Sequence, residues 1–355
     1  MTDPPPVRVA LLGCGDIAGQ YLTELARYPS AVEVVACADL DAARARARAD
    51  EFGIARVASP VELLEDEAVE IVVNLTPPTA HAAVSLAILR GRKHVYSEKP
   101  LALAVADGSA LLDEAQERGL RVGCAPDSFL SPPLQQARQA VEDGAIGRPV
   151  AAFAAFAARS VETWHPNPAF FFAPGGGPVL DMGPYYLTVL VTLLGPVAWV
   201  SAQGAMLVPE RMSTHGGPVV ASTLTHVTGT VAFASGALAT VLFSFDLHET
   251  QLPRIEVYGT EGSLRLPDPN RYDGAVELVA AGGHWAELGP PDVDEIHRGY
   301  GVVDFALALR EGRPHRASGA LALHVLDMMN GLLRSAETGG ERVQTSKTRP
   351  VELAA

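Results

Sequence analysis

The chain has 355 residues, 48% of them hydrophobic and 19% charged, and a formal net charge of −14. That length exceeds what one hydrophobic core organises and predicts two domains, and the composition is that of a folded globular protein rather than a disordered one. The acidic balance argues against a nucleic-acid partner and against attachment to anionic lipid, and no apolar run approaches the roughly 20 residues of a membrane span.

The first third alternates regularly between strand-like and helical runs. Strands are predicted at 7–12, 32–38, 71–75, 93–97 and 121–125, with helices at 17–28, 41–52, 79–90 and 104–118 between them. In the first helix Ile17, Tyr21, Leu22 and Leu25 fall on one face. Asp41 is placed to cap the second helix, and Gly91 and Gly119 to stop the later two. Apolar strands alternating with helices imply a doubly wound parallel sheet covered on both faces, a Rossmann-type α/β domain. Ligands on such sheets sit at the carboxyl ends of the strands. Here those ends are Gly13, Asp39, Asn74 to Pro78, Glu98 to Pro100 and Ala125 to Ser128, five loops expected to converge on one crevice.

The pattern changes after about residue 126, so the boundary is set there: a nucleotide-binding domain over 1–126 and a second domain over 127–355. Ser131-Pro132-Pro133 opens a helix to about Asp143. β-type runs then dominate, at 148–158, 197–208, 219–233, 237–247, 253–259 and 263–266, with hairpin turns at Ser235-Gly236 and Thr260-Glu261-Gly262. Helices follow at about 297–311 and 318–336. This reads as an α+β domain with a large open, mostly antiparallel sheet, one face covered by helices. The other face is a natural surface for a second copy of the chain, giving a homodimer or homotetramer.

The clearest ligand signal is Gly13-Cys14-Gly15-Asp16-Ile17-Ala18, a G-x-G-x-x-A turn that follows the apolar run Val7 to Leu12 and opens a helix. Backbone N–H groups of Gly13, Gly15, Asp16 and Ile17 and a helix N-terminus then face an anion above the loop. Asp39 ends the second strand about 20 residues on, where an acid accepts the ribose hydroxyls of a dinucleotide. Leu40 and Asp41 follow it, with no Arg to hold a 2′-phosphate, so the reading is NAD over NADP. The alternative is a flavodoxin-like turn with no dinucleotide.

Two further segments carry chemistry. In Asn74-Leu75-Thr76-Pro77-Pro78-Thr79-Ala80-His81, proline halts strand pairing, and Thr76 to Pro78, with Thr76 and Pro77 among the cofactor-binding candidates, form a rigid wall beside the cofactor. His81 is placed with the cofactor-binding residues, although one turn into a helix it also reads as a hydrogen-bonding structural histidine. In His94 to Pro100, Glu98 and Lys99 stand at a strand end close to where a nicotinamide lies. The second segment is Pro174-Gly175-Gly176-Gly177-Pro178-Val179-Leu180-Asp181-Met182-Gly183-Pro184-Tyr185-Tyr186. Asp181 and Tyr185 are i and i+4 and share a face in a helix, or Asp181 caps the helix that begins at Gly183-Pro184. Tyr185 and Tyr186 are split between core and cleft. Asp127, His165 and Tyr186 are the remaining candidates for substrate contact. The aromatic neighbours of His165 (Trp164, Phe170, Phe171 and Phe172) suit an apolar sugar face, or packing on the sheet or a partner.

Cys14, Cys37 and Cys124 are scattered, with no C-x-x-C pair, and read as small core residues of a reducing compartment. The histidines have no metal-ligand spacing, and no metal is expected. Met1-Thr2-Asp3-Pro4-Pro5-Pro6 has no basic segment before an apolar one, so no signal peptide is read and a cytoplasmic location is expected.

Taken together, Gly13 to Ala18, Thr76-Pro77-Pro78 with His81, Glu98-Lys99-Pro100, Gly176-Gly177 with Asp181 and Gly183, and Gly259-Thr260-Glu261-Gly262 resemble the glucose–fructose oxidoreductase / inositol dehydrogenase / rhizopine-catabolism (Gfo/Idh/MocA) family, in family order and over nearly the whole chain. The resemblance implies an N-terminal Rossmann domain, a C-terminal α/β domain with a large open sheet, and oligomers formed through that sheet. It makes Lys99 catalytic and maps the family's D-x-G-x-H segment onto Asp181 and position 185. This chain carries Tyr185 where many members have His, as some branches do.

For an alcohol oxidation, the cofactor takes the hydride, and the protein must place the carbinol and take its proton. A free phenol titrates near pH 10 and needs a neighbouring ammonium to serve as a base. The expectation is that Tyr185 is the acid/base, Lys99 polarises the substrate oxygen, and Asp181 bonds a substrate hydroxyl or orients Lys99. In the competing version Lys99 carries the proton itself. The leading function is an NAD-dependent dehydrogenase of a sugar, sugar derivative or cyclitol. The alternatives are a glycoside hydrolase with a transient NAD-dependent oxidation and a non-catalytic NAD-bound sensor.

Overall fold

The computed structural model describes residues 4–159, 161–291 and 294–346. The chain divides into two units. Among the described residues, the first runs up to Leu130 and takes in Ile296–Leu323, and the second comprises Ser131–Glu295 and residues 324–346.

The first unit is built on six parallel strands, β1 (Val7–Leu12), β2 (Val32–Ala38), β3 (Val57–Ala58), β4 (Ile71–Asn74), β5 (His94–Ser97) and β6 (Val122–Cys124), in the order β3-β2-β1-β4-β5-β6. Between them run α1 (Asp16–Leu25), α2 (Ala42–Phe52), α3 (Pro60–Glu65), α4 (His81–Arg90) and α5 (Val105–Arg118). Strand residues such as Val9, Leu11, Ile71, Val72, Val73 and Val95 are wholly buried, as a sheet covered on both faces requires. Asp41 caps α2 as its sequence predicts, accepting from the Ala43 and Arg44 amides. The short β3 and α3 have no counterpart among the predicted elements. Their signal was present, because Ser59 and Glu62 form a reciprocal capping box with Pro60 in the first turn.

The second unit begins with α6 (Pro132–Glu142) and β7 (Pro149–Ala157). Then come α7 (Val161–Trp164), α8 (Pro178–Asp181), α9 (Gly183–Leu194) and β8 (Val197–Ala205). The run predicted over 219–233 as one strand is two. β9 (Glu210–Ser213) and β10 (Gly217–Val220) form a separate hairpin, and β11 (His226–Phe233) follows after a break. β12 (Leu238–Ser244), β13 (Ile255–Gly259), β14 (Gly262–Leu266), β15 (Glu277–Ala280) and β16 (Ala286–Glu287) complete the central stretch. With β17 (Val343–Gln344) they make a nine-stranded sheet in the order β16-β15-β14-β13-β7-β12-β11-β8-β17. Its pairs are antiparallel except β7 with β12. Period-2 alternation is clear on β12, where Ala239, Val241 and Phe243 are buried while Leu238 and Thr240 are exposed on the opposite face.

Between β16 and β17 lie α10 (Tyr300–Glu311) and α11 (Gly319–Glu337). Helix α10 belongs to the first unit, and α11 enters the second from His324 on. The boundary expected after residue 126 therefore falls a few residues later, and residues 296–323 return to the nucleotide-binding unit. Sequence alone gives no sign of this return, because it is decided by packing against residues about 170 to 300 positions away. Arg310, for example, makes a two-pronged ion pair with Glu70 at 2.7 and 2.9 Å.

Candidate active site

In the first unit the glycine-rich turn has the geometry its sequence implies. Gly13 adopts φ +104° and lies so close to β4 that an added Cβ would stand 2.7 Å from the Leu75 carbonyl. Only glycine fits there. At Gly15 the same Cβ would meet nothing within 4 Å. That open space lies at the start of α1, whose N-terminus has no side-chain cap. It is the cradle a pyrophosphate needs, with helix amides directed at it. Asp39, half-buried at the end of β2, is tied to this loop, its Oδ2 accepting the Cys14 amide at 2.7 Å. Arg44 stands 3.6 Å from the Asp39 carboxylate and also faces Asp41. This cation lies beyond Leu40 and Asp41, the two positions considered from the sequence. The Cys14 thiol donates to the Ala38 carbonyl at 3.5 Å, and the neighbouring Cys37 thiol together with burial pushes its pKa well up. All three cysteines are free and buried.

The loops after β4 and β5 are knotted together by Asn74 and by His81, the latter in the hydrogen-bonding structural role its sequence position also allowed. Asn74, fully buried, accepts from the Thr76 hydroxyl at 2.6 Å and donates to the Ser85 hydroxyl and the His81 carbonyl. His81 is only 1% exposed. Its two ring nitrogens lie 2.7 Å from the carbonyl oxygens of Pro100 and Thr76, and burial pushes its pKa down. His81 thus acts on the cofactor loops from behind, whereas Thr76 and Pro77 stand at their surface.

Lys99 follows β5 and is half-buried. Its amide donates to Glu98 Oε2 at 2.8 Å, and Tyr21 donates to Glu98 Oε1 at 2.9 Å. Arg298 approaches the same carboxylate at 3.9 Å. Burial, reinforced by the Glu98 charge, pushes the Tyr21 phenol up and keeps it a donor. Asp127 departs from its expected substrate contact. It is 1% exposed, and its Oδ2 accepts the Gly299 and Gly301 amides at 2.9 and 2.8 Å, anchoring the start of α10.

In the second unit Asp181 ends α8 and Tyr185 lies in the first turn of α9. Asp181 is not the cap of α9, whose N-cap is Met182 with no side-chain bond. Asp181 is half-buried and Tyr185 is 4% exposed. Tyr186 is fully buried, edge-on to Phe156 and Phe243, and burial pushes its phenol up. Both tyrosines are buried, and Tyr186, expected at the substrate, packs among core rings. His165 is half-buried within a ring cluster of Trp164, Phe170 and Phe171 at centroid distances of 5.0–5.4 Å, and accepts the Asn167 amide on Nδ1. Among the described residues no group of three or more His, Cys, Asp or Glu side chains is placed to hold a metal ion. No described helix is long and apolar enough to cross a membrane.

Comparison with known proteins decides the family. A family model described as an oxidoreductase family with an NAD-binding Rossmann fold matches residues 7–125, and one for the GFO/IDH/MocA C-terminal domain matches residues 134–265. The chain belongs to the GFO/IDH/MocA family of oxidoreductases. Within it, the chain is 31% identical to a dTDP-3,4-didehydro-2,6-dideoxy-alpha-D-glucose 3-reductase of Streptomyces antibioticus, over 87% of this chain and 90% of that protein. It is 26% identical to scyllo-inositol 2-dehydrogenase (NAD(+)) of Bacillus subtilis strain 168, over 86% of this chain and 87% of that protein. The fold matches that of levoglucosan dehydrogenase in complex with NADH and levoglucosan, with a TM-score of 0.82 and 22% identity, over 96% of this chain and 100% of that one. The GFO/IDH/MocA chain described here is thus an oxidoreductase whose first unit is an NAD-binding Rossmann domain. The open cradle at Gly15, the uncapped α1 and Asp39 fit that cofactor.

Proposed function

We propose that this protein is an NAD-dependent dehydrogenase that transfers a hydride between the nicotinamide and a secondary alcohol of a sugar, sugar derivative or cyclitol. The observation that carries the reading is Lys99, held by Glu98 at the carboxyl end of β5 in an NAD-binding sheet. The relatives named for inositol and deoxysugar substrates support that substrate range. Gly13, Gly15, Asp16 and Ile17 would hold the pyrophosphate, Asp39 the adenosine ribose, and Thr76, Pro77, Glu98 and Lys99 the nicotinamide side. When bound, NAD supplies the hydride chemistry. The chain's own residues place the carbinol and move its proton. Lys99 polarises the substrate oxygen, Tyr185 takes the hydroxyl proton, and Asp181 bonds a neighbouring hydroxyl or orients Lys99. The cofactor is NAD rather than NADP, because the Asp39 carboxylate suits ribose hydroxyls and repels a 2′-phosphate. Arg44 beside it is already shared between Asp39 and Asp41. We further read the chain as a cytoplasmic homo-oligomer that associates through the uncovered face of the nine-stranded sheet, where Leu238 and Thr240 are exposed.

The test is a panel of polyols and sugars screened by NADH absorbance with NAD and NADP in parallel. Release of free NADH with at least one of them is expected. Turnover of a glycoside without free NADH identifies a hydrolase instead, and preference for NADP overturns the reading of Asp39.

A further inference from the structure

The hairpin β9–β10, which the sequence did not reveal, carries a buried cation. Arg211 has a side chain 0% exposed, and its partners Glu162 and Asp246 are 6% and 2% exposed. Its Nη1 donates to Glu162 Oε1 and to the Phe245 carbonyl, each at 3.0 Å, and its Nη2 donates to Asp246 Oδ1. The guanidinium lies 4.6 Å from the centroid of the Phe172 ring. The second oxygen of Asp246 accepts from the Thr225 hydroxyl at 2.7 Å and the Leu207 amide at 3.2 Å.

One guanidinium between two carboxylates leaves a net negative charge in a buried place. Buried ion pairs of this kind add little stability over apolar side chains of the same size. What they add is direction, because a planar fork with fixed donors accepts one arrangement of its partners. The arrangement fixed here is the segment 161–181. Glu162 lies in α7 next to Trp164 and His165, and its carbonyl receives the Thr214 amide of the hairpin turn at 3.2 Å. Phe172 ends the turn that carries Phe170 and Phe171, and its carbonyl receives the Ser222 amide at 2.7 Å. Gly177 donates to the Phe171 carbonyl at 2.7 Å, and Asp181 donates to the Gly177 carbonyl at 3.1 Å. Trp164 and Phe170 are 59% and 44% exposed, so rings with exposed faces stand on a rigid, charged backing.

We propose that Arg211 is a positioning residue that fixes this aromatic wall together with Asp181, and so sets which sugar or cyclitol ring binds. The proposal rests on the dehydrogenase reading above for the identity of the wall's ligand. Arg211 touches neither the substrate nor NAD. It acts through Glu162 and Phe172, and its removal shows in substrate affinity and selectivity rather than in cofactor affinity.

The test is Arg211→Lys in the full chain, which keeps the charge and loses the fork. The expected result is a substrate KM raised about tenfold, with kcat and the KM for NAD each within about threefold of wild type, and weaker discrimination across the polyol panel. Amide exchange over 161–181 is expected to be about tenfold faster, with the Rossmann amides unchanged. An unchanged substrate KM with unchanged exchange overturns the proposal, as does an equal loss of NAD affinity. If Arg211→Lys does not fold, Phe172→Leu removes the stacked ring and leaves the ion pairs. The same KM shift is expected of it, and its absence overturns the proposal. If the wild type oxidises no member of the panel, the dehydrogenase reading falls, and the exchange comparison alone decides for or against Arg211.

Discussion

Tyr21 donates its phenol proton to Glu98 across 2.9 Å of buried space, 77 residues away in sequence. The same carboxylate receives the Lys99 amide on its other oxygen. The backbone of the catalytic candidate is therefore fixed by an acid that is itself fixed by the helix after the glycine-rich turn. Tyr21→Phe leaves a buried carboxylate oxygen short of one donor. The expected cost is about 1–3 kcal/mol, a fall of several degrees in the melting temperature, with a loss of kcat. An unchanged melting temperature contradicts the assignment of Tyr21 as the donor that holds Glu98.

The two glycines of the turn respond oppositely to a methyl group. Gly13→Ala puts a Cβ against the Leu75 carbonyl in a left-handed backbone and destabilises the unit. Gly15→Ala meets open space at φ −70° and leaves the melting temperature unchanged, but it fills the cradle. NADH titration of Gly15→Ala is expected to show an affinity loss of about tenfold or more with the fold intact. Wild-type affinity in this variant removes Gly15 from the cofactor site.

Acid weakens the first unit through two histidines held neutral, His315 buried and His94 half-buried. Burial pushes His94 and His315 down from 6.5 to about 4. His94 Nδ1 accepts the Arg121 amide at 3.0 Å, so a proton on that nitrogen breaks the bond. Between pH 6.5 and 4 the unfolded chain binds protons that the folded chain does not, so stability falls as pH falls, by about 1.4 kcal/mol per pH unit for each such group. His94→Asn keeps an acceptor near the Nδ1 position and cannot titrate. Melting curves from pH 7 to 4.5 are expected to show a shallower acid slope for this variant, and an identical slope contradicts a neutral His94.

Tyr185 occupies the position that the family resemblance aligns with the last residue of the D-x-G-x-H segment. If it moves the proton, Tyr185→Phe lowers kcat by about a hundredfold or more and removes the corresponding limb of the pH–rate profile. Near wild-type kcat across pH assigns proton transfer to Lys99 instead.

Much of this was legible in the sequence, and for identifiable reasons. The strands 7–12 and 32–38 emerge with the bounds expected, because apolar runs end on residues with a local job, Gly13 and Asp39. Family motifs carried the rest of the cofactor side. What stayed hidden depends on contacts remote in sequence. Arg211 stands in no sequence motif, and its partners Glu162 and Asp246 lie 49 and 35 residues away. Asp127 reads as a cleft acid until Gly299 and Gly301 arrive from 172 and 174 positions downstream. Neighbouring tyrosines 185 and 186 cannot be divided between core and cleft by spacing alone. Tyr186 is assigned to the core by the rings of Phe156 and Phe243, which come from separate strands.

The most direct test of the central claim is steady-state turnover of Lys99→Met on the best polyol of the panel, with NADH affinity measured on the same preparation. The account predicts that kcat falls by about a thousandfold while NADH affinity, losing one contact at the nicotinamide side, falls by no more than about tenfold. A kcat within about threefold of wild type contradicts it.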